Sequence, residues 1–588
     1  MIACRASCVA LVLLALGAGA AAQTPPVATG APTPLGGAAT PPPPQEQPPP
    51  GQSPVEFKPG ILGAQPRITT GELGVVDGPP VGTLDDTNGG LGQSMWINAP
   101  RAEVEDLLGR LPLVSGDPFV RGLARRLVLT TSDAPVGAGK RALVTIRIEK
   151  LLQAGLPSEA GAIAASLRLD NDPDFARVQA DALLYAGRDK DVCSDLTATR
   201  LSAPDPFWLE LRTYCFAVGG DAASADLTRS VMDAQGIKDA GFDLLVSDVL
   251  TGRKIAPKDI EHPTALHIYL LRKADLPIGN AIAAKLGTVA DALAARDARN
   301  SPADRLSAAA RISATGALSA AELLAILNAQ PIGADELAQA QATAAKLTFL
   351  PAQAILRRAA SLEGRAPEKT DLLIAALAPG GRTDRLPLTS ALQGDLAASI
   401  KPDATTARGR FLISRALILQ GKADAAAAWY GAGADETDAH AFQVLLDLAA
   451  PSPERDAAAL SAYAWFARSA APQQNPAPIA ALALGFADVL GRPMPPQAKA
   501  LAGTLEGMPW AGHRPAPDSV RKLADAASQP GRRGEAVLRI LDMIGADGPS
   551  DLPPDVAIEC VRSLQQLGLS GEASALAVET LALARPSP

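Results

Sequence analysis

Gly137, Ala138, Gly139 and Lys140 are the first residues whose types and order suggest chemistry, because a phosphate-cradling loop uses glycines followed by a lysine. Such a loop also requires glycine at position 134 and serine or threonine at 141, and this chain has Ala134 and Arg141 there. No nucleotide or other cofactor is assigned. The four histidines are His262, His267, His440 and His513. His262 and His267 stand five apart, beside Glu261 and across Pro263, whereas two metal ligands on one helix face need a spacing of four. They read as capping or surface residues, and no metal is assigned. No serine lies in a nucleophile elbow, and the carboxylate pairs Asp85–Asp86 and Glu103–Glu105 are too ordinary to serve as acid and base. With no catalytic residue to nominate, the chain does not read as an enzyme.

Cysteine chemistry gives a more definite expectation. Of the 5 cysteines, Cys4 and Cys8 lie within residues 1–22, leaving Cys193, Cys215 and Cys560 for the body of the protein. A turn is predicted at Ser202-Ala203-Pro204-Asp205, with Asp205-Pro206 opening the next helix, and both Cys193 and Cys215 lie 11 residues from Pro204. Equal distances from the turn of an antiparallel hairpin place two residues at one height, where a disulfide can form in an oxidising compartment. The count does not fix the rotation of either helix, so the alternative is two buried thiols packed as small core residues.

An oxidising compartment is expected from the N-terminus. Arg5, the apolar run Val9–Gly19 and the small residues Ala20-Ala21-Ala22 before Gln23 form a secretory signal, residues 1–22, cleaved after Ala22. The apolar stretch is about half of the roughly 20 residues a membrane-spanning helix needs, so the mature protein is expected not to span a membrane. Residues 23–60 carry Pro41-Pro42-Pro43-Pro44 and Pro48-Pro49-Pro50 and no core-forming pattern, which predicts a disordered Pro-rich linker reaching about 100 Å. Residues 61–98 are Gly-rich and predict an extended arm whose Leu84, Leu91, Met95 and Trp96 pack on the first helices.

The remainder, 99–584, reads as helix. Hydrophobic residues make up 47% of the chain but aromatics only 4%, and abundant alanine suits closely packed helices. Asn98 is expected to cap a helix beginning near Pro100, with Val104, Leu107, Leu108 and Leu111 on one face. Asp117-Pro118 opens a second helix, in which Val120, Leu123, Ala124 and Leu127 repeat the spacing. The net charge of −8 argues against nucleic acid, which demands a basic face, and against anionic lipid. The excess of arginine over lysine and the alanine content suggest a GC-rich bacterial genome, and hence the periplasm.

A local pattern recurs: an apolar residue, glycine four later, alanine five after that. It occurs at Leu151-Gly155-Ala160, Phe216-Gly220-Ala225, Leu417-Gly421-Ala426 and Leu564-Gly568-Ala573, and at Leu183-Gly187 with Val192 replacing alanine. The first three glycines are 32 and 33 residues apart. Glycine ends one helix in a conformation that a β-carbon resists, and the small residue lets the next helix lie close.

With Leu419-Gln420-Gly421-Lys422 through Ala426 to Tyr430, this pattern resembles the tetratricopeptide repeat family, over about 145–235, 405–435 and 555–580. Between 290 and 400 the spacing degenerates, although Ala320–Leu327 and Asp371–Leu377 remain amphipathic. The resemblance implies an all-α fold, an α-solenoid of antiparallel hairpins with a concave surface. It further implies a scaffold or adaptor binding a protein or peptide partner in the cell envelope, as in a motility or secretion assembly. The alternative is a peptidoglycan-acting enzyme, or an inactive relative, built on a similar helical superhelix.

Overall fold

Asp117 accepts the amide of Val120 at 2.9 Å and is followed by Pro118 at the first helical position. The same device, a short polar cap followed by a proline whose missing N–H costs nothing there, opens Pro173–Tyr185 from Asp172 and Pro302–Ile312 from Ser301. The computed structural model describes residues 77–169, 172–196, 205–255, 260–381, 385–429, 436–470, 478–502 and 514–584, all within one compact unit, Glu72–Pro588. Among these residues the fold is all-helical and has no strand beyond the isolated bridges Leu84–Thr130 and Pro100–Val136. The expected signal peptide, the Pro-rich linker, the centre of the turn at Pro204, Tyr430 and His513 lie outside the described residues.

Consecutive helices pair as hairpins, including Leu143–Gln153 with Pro157–Ala165, Phe207–Val218 with Ala222–Ala234, Arg410–Leu419 with Ala423–Ala428, and Pro554–Gln566 with Ser570–Leu583. Their turns share one hydrogen-bond arrangement. Gly155 has φ +72°, and the next amide, that of Leu156, reaches back to the Leu151 carbonyl at 2.9 Å while Gly155 N–H donates to Leu152. This is a six-to-one helix stop, and its geometry requires the left-handed residue at glycine. The same pair of bonds closes the turns at Gly187, Gly220, Gly421 and Gly568, accepted by Leu183, Phe216, Leu417 and Leu564. The recurring apolar residue is therefore the one whose carbonyl terminates the helix. Ala160, Ala225, Ala426 and Ala573 are fully buried, as is Val192.

The 290–400 stretch is also helical, including Ala320–Asn328, Phe349–Leu362, Ala366–Leu377 and Leu386–Ala398. Its spacing differs because the chain there inserts two five-residue helices, Ala334–Ala338 and Ala340–Ala344, which meet at Gln339. Asn98 departs from its expected role. The first helix, Arg101–Gly109, has Pro100 at its cap position and no side-chain cap, and the Asn98 amide instead donates to the Pro530 carbonyl at 2.9 Å, 432 residues away.

That bond belongs to a larger departure from a simple stack, in which each unit touches only its neighbours. Arg101–Gly109 and Pro118–Leu129 pack on Arg533–Ile544, and Pro118–Leu129 also packs on the last helix, Ser570–Leu583. The arm completes the junction. Leu91, Met95 and Trp96 are buried; Leu84 N–H bonds the Leu129 carbonyl, while the Met95 carbonyl accepts from Gly534 N–H at 3.0 Å. Among the described residues no helix is long and apolar enough to cross a membrane.

Candidate functional site where the first and last helices meet

The closure is held at its edge by ion pairs between the two ends of the helical chain. Arg110 reaches Asp542, Arg126 reaches Glu572, and Arg539 joins Glu103 to the fully buried Glu535, which Arg532 also holds. Isolated pairs of this kind contribute little in water, but those around Glu535 are shielded and hydrogen-bonded, so removing one partner would strand a charge.

Inside this rim lies an unusual group of side chains. Asp117 is only 4% exposed and Glu579, on the last helix, only 6%. The Asp117 backbone amide donates to Ser115 Oγ at 3.0 Å, and the Ser115 hydroxyl donates to the Ala546 carbonyl at 2.6 Å, tying the first turn to the C-terminal loop. Gly548, with φ +89°, brings its backbone so near that a β-carbon there would stand 2.4 Å from Asp117 Oδ2. The Glu579 carboxyl lies against that of Asp117, and its Oε1 meets no hydrogen-bond donor. Two carboxylates accept only, so this oxygen is satisfied when one proton is shared by the pair. Burial, then the Asp117 charge, push the Glu579 carboxyl up to about 9, and burial also raises Asp117. Arg121, one turn into the same helix, donates to the Ser115 carbonyl at 2.8 Å and faces both carboxyls, and burial lowers its affinity for its proton. Beside Asp117 a cavity of about 370 Å³ opens, lined by Ala314, Phe349, Arg385, Asp547, Asp551 and Leu583 among others. Chemically, two buried carboxyls facing one guanidinium favour the uptake of a proton by the pair.

The other candidate residues lie elsewhere. The Gly137–Lys140 loop is filled from within: a β-carbon on Gly139 would stand 2.3 Å from the buried Arg101 guanidinium, and Lys140 N–H donates to Glu105 at 3.0 Å. A cation and a carboxylate occupy the ground a phosphate would need. His262 is exposed beside Glu261. His267 is buried at the start of Ala265–Lys273, where its Nδ1 accepts from Thr264 N–H at 3.1 Å and its Nε2 lies 3.2 Å from Asp239, the cap of the preceding helix. Asp85 folds back on Thr87 N–H in a local turn. Among the described residues no group of three or more His, Cys, Asp or Glu side chains is placed to hold a metal. Cys193 and Cys215 are joined by a disulfide, with Cα atoms 5.6 Å apart, and Cys560 is a buried free thiol.

Sequence reasoning identified Asp117 as a helix cap and passed over Arg121 and Glu579. No local signal marks Glu579, which stands in an apolar stretch of the last helix; its only hint is a carboxylate at a buried position. No family model matches the chain, and no curated protein or solved structure is significantly similar to it.

Proposed function

We propose that this protein is an exported periplasmic scaffold or adaptor, built as a tetratricopeptide-like solenoid and presented on a Pro-rich tether after a cleaved signal peptide, which binds a protein or peptide partner in the bacterial cell envelope. The observation that supports this reading is the set of five hairpin turns with one hydrogen-bond arrangement, each followed by a buried small or β-branched residue. Hairpins built this way keep their apolar contacts for one another and leave helix faces free to engage a partner segment. One such surface is a cleft of about 620 Å³ between residues 337–342 and the helices Phe349–Leu362 and Ala366–Leu377, where Leu362 stands 69% exposed. Service in a motility or secretion assembly is a special case of the same role.

Affinity capture from envelope extracts with the mature protein, followed by mass spectrometry, tests the reading. The expected result is a protein enriched by the wild type and depleted with Leu362→Glu. Cleavage of isolated peptidoglycan by the purified protein, or no enriched partner, would overturn it.

A further inference from the structure

We propose that the Asp117–Glu579 carboxyl pair is a proton-operated latch: one shared proton fastens the last helix to the first hairpin, and its loss to solvent leaves two buried like charges that push this junction open. Ser570–Leu583 is packed by Pro554–Gln566, Glu436–Ala449, Arg410–Leu419 and Pro478–Val489, and the first hairpin covers the side that carries Glu579. Asp117 is the cap of Pro118–Leu129, Glu579 lies on Ser570–Leu583, and the pair is where these two helices meet. The Phe119 N–H faces the Glu579 carboxyl, yet its Oε1 is left without a partner against Asp117, where a shared carboxyl proton supplies the bond. The Glu579 carboxyl, held up near 9 by burial and by Asp117, keeps that proton through neutral pH.

The charged neighbours define what sets the latch. Arg121 is the cation facing the pair from the first hairpin, and burial weakens its hold on its own proton. From the 546–551 loop, Asp547 and Asp551 line the cavity beside Asp117, with Arg385 across from them over the Phe349 ring. On the helices packed around Ser570–Leu583, Asp447 is held by Arg492 and Glu559 by Arg562, while Arg410 lies over Phe411. Among the described residues Arg121 alone is a cation facing the two buried carboxyls, and one positive charge does not neutralise both, so one of them retains a proton. The inference does not depend on which partner the scaffold binds.

Amide hydrogen exchange of the whole protein across pH 5–9, corrected for the intrinsic rate, reads the latch. In the wild type, opening of peptides covering 118–129 and 570–583 should rise with pH, by up to about tenfold per pH unit in the one-proton limit. In Glu579→Gln, whose amide can donate to Asp117 at every pH, the slope should vanish. In Asp117→Asn, which removes the like charge, the rise should end at lower pH than in the wild type. A flat wild-type profile, or an unchanged slope in Glu579→Gln, would overturn the proposal. If Glu579→Gln fails to fold, the comparison of Asp117→Asn with the wild type decides: equal profiles reject the latch.

Discussion

The Trp96 ring lies against the backbone of Gly534, so near that a β-carbon there would stand 2.5 Å from it. The indole N–H donates to Ser132 Oγ at 2.8 Å, and the Met95 carbonyl accepts from Gly534 N–H at 3.0 Å. Trp96 is 2% exposed and comes from the arm, while Gly534 opens a helix near the other end of the chain. Gly534→Ala should therefore destabilise by about 1–3 kcal/mol through overpacking, and Trp96→Ala by about 3–5 kcal/mol through the cavity left behind. In urea denaturation the two losses should be strongly non-additive, because the added methyl has nothing to collide with once the ring is gone.

Gly568 and Gly155 separate backbone strain from collision. Both have left-handed φ, +73° and +72°, but nothing stands within 4 Å of a β-carbon at Gly568, whereas one at Gly155 would meet Ala317 at 2.6 Å. Gly568→Ala should cost about 1 kcal/mol, the strain alone. Gly155→Ala should cost distinctly more, as a lower thermal midpoint in the same scan. Equal losses would mean that Ala317 yields freely.

The disulfide closes a loop of 22 residues between Asp189–Ser194 and Phe207–Val218. Cys193→Ser should lower stability by about 3 kcal/mol on the chain-entropy account. Thiol titration of unreduced, denatured protein beginning at Gln23 should find a single free sulfhydryl, that of Cys560. Three would mean that the bridge does not form.

Glu322 links acid stability to one helix start. Its carboxylate accepts from Arg296 at 2.6 Å and from Ser319 N–H at 2.7 Å, and these bonds, that from Arg296 foremost, hold it down to about 2. A depressed carboxyl contributes stability that is complete above its ordinary value near 4.5 and is lost as pH falls toward 2. Because the site is largely solvated, Glu322→Ala should cost only about 1 kcal/mol at pH 7. The gap between variant and wild-type urea midpoints should narrow between pH 4 and pH 2; a constant gap would assign the loss to helix propensity alone.

What could be read from the chain was local. Leu564, Gly568 and Ala573 lie within one turn and its flanking helices, so a single backbone requirement writes itself into a fixed spacing. All-helical character followed from the same kind of signal. Asn98 shows the limit: as a polar residue ahead of an apolar-periodic segment it carries the usual mark of a cap, yet its side-chain amide donates to the Pro530 carbonyl and its backbone N–H to that of Gly531. Asp117 and Glu579 are invisible as a pair for the same reason. Their meeting depends on how the intervening helices accumulate rotation from hairpin to hairpin, and no short window of sequence records that sum.

The clasp around Trp96 also dictates an order of events. The indole is held by Ser132 on one side and by the Gly534 backbone on another, so its seat is incomplete until nearly the whole polypeptide has been made. Separations of this size raise contact order and slow the final docking, while the faces of Met95 and Trp96 that Gly534 covers wait exposed. A nascent chain shorter than about 530 residues thus carries a sticky apolar patch at its front, and it is during that interval, rather than in the finished molecule, that a holding chaperone would find the most to bind.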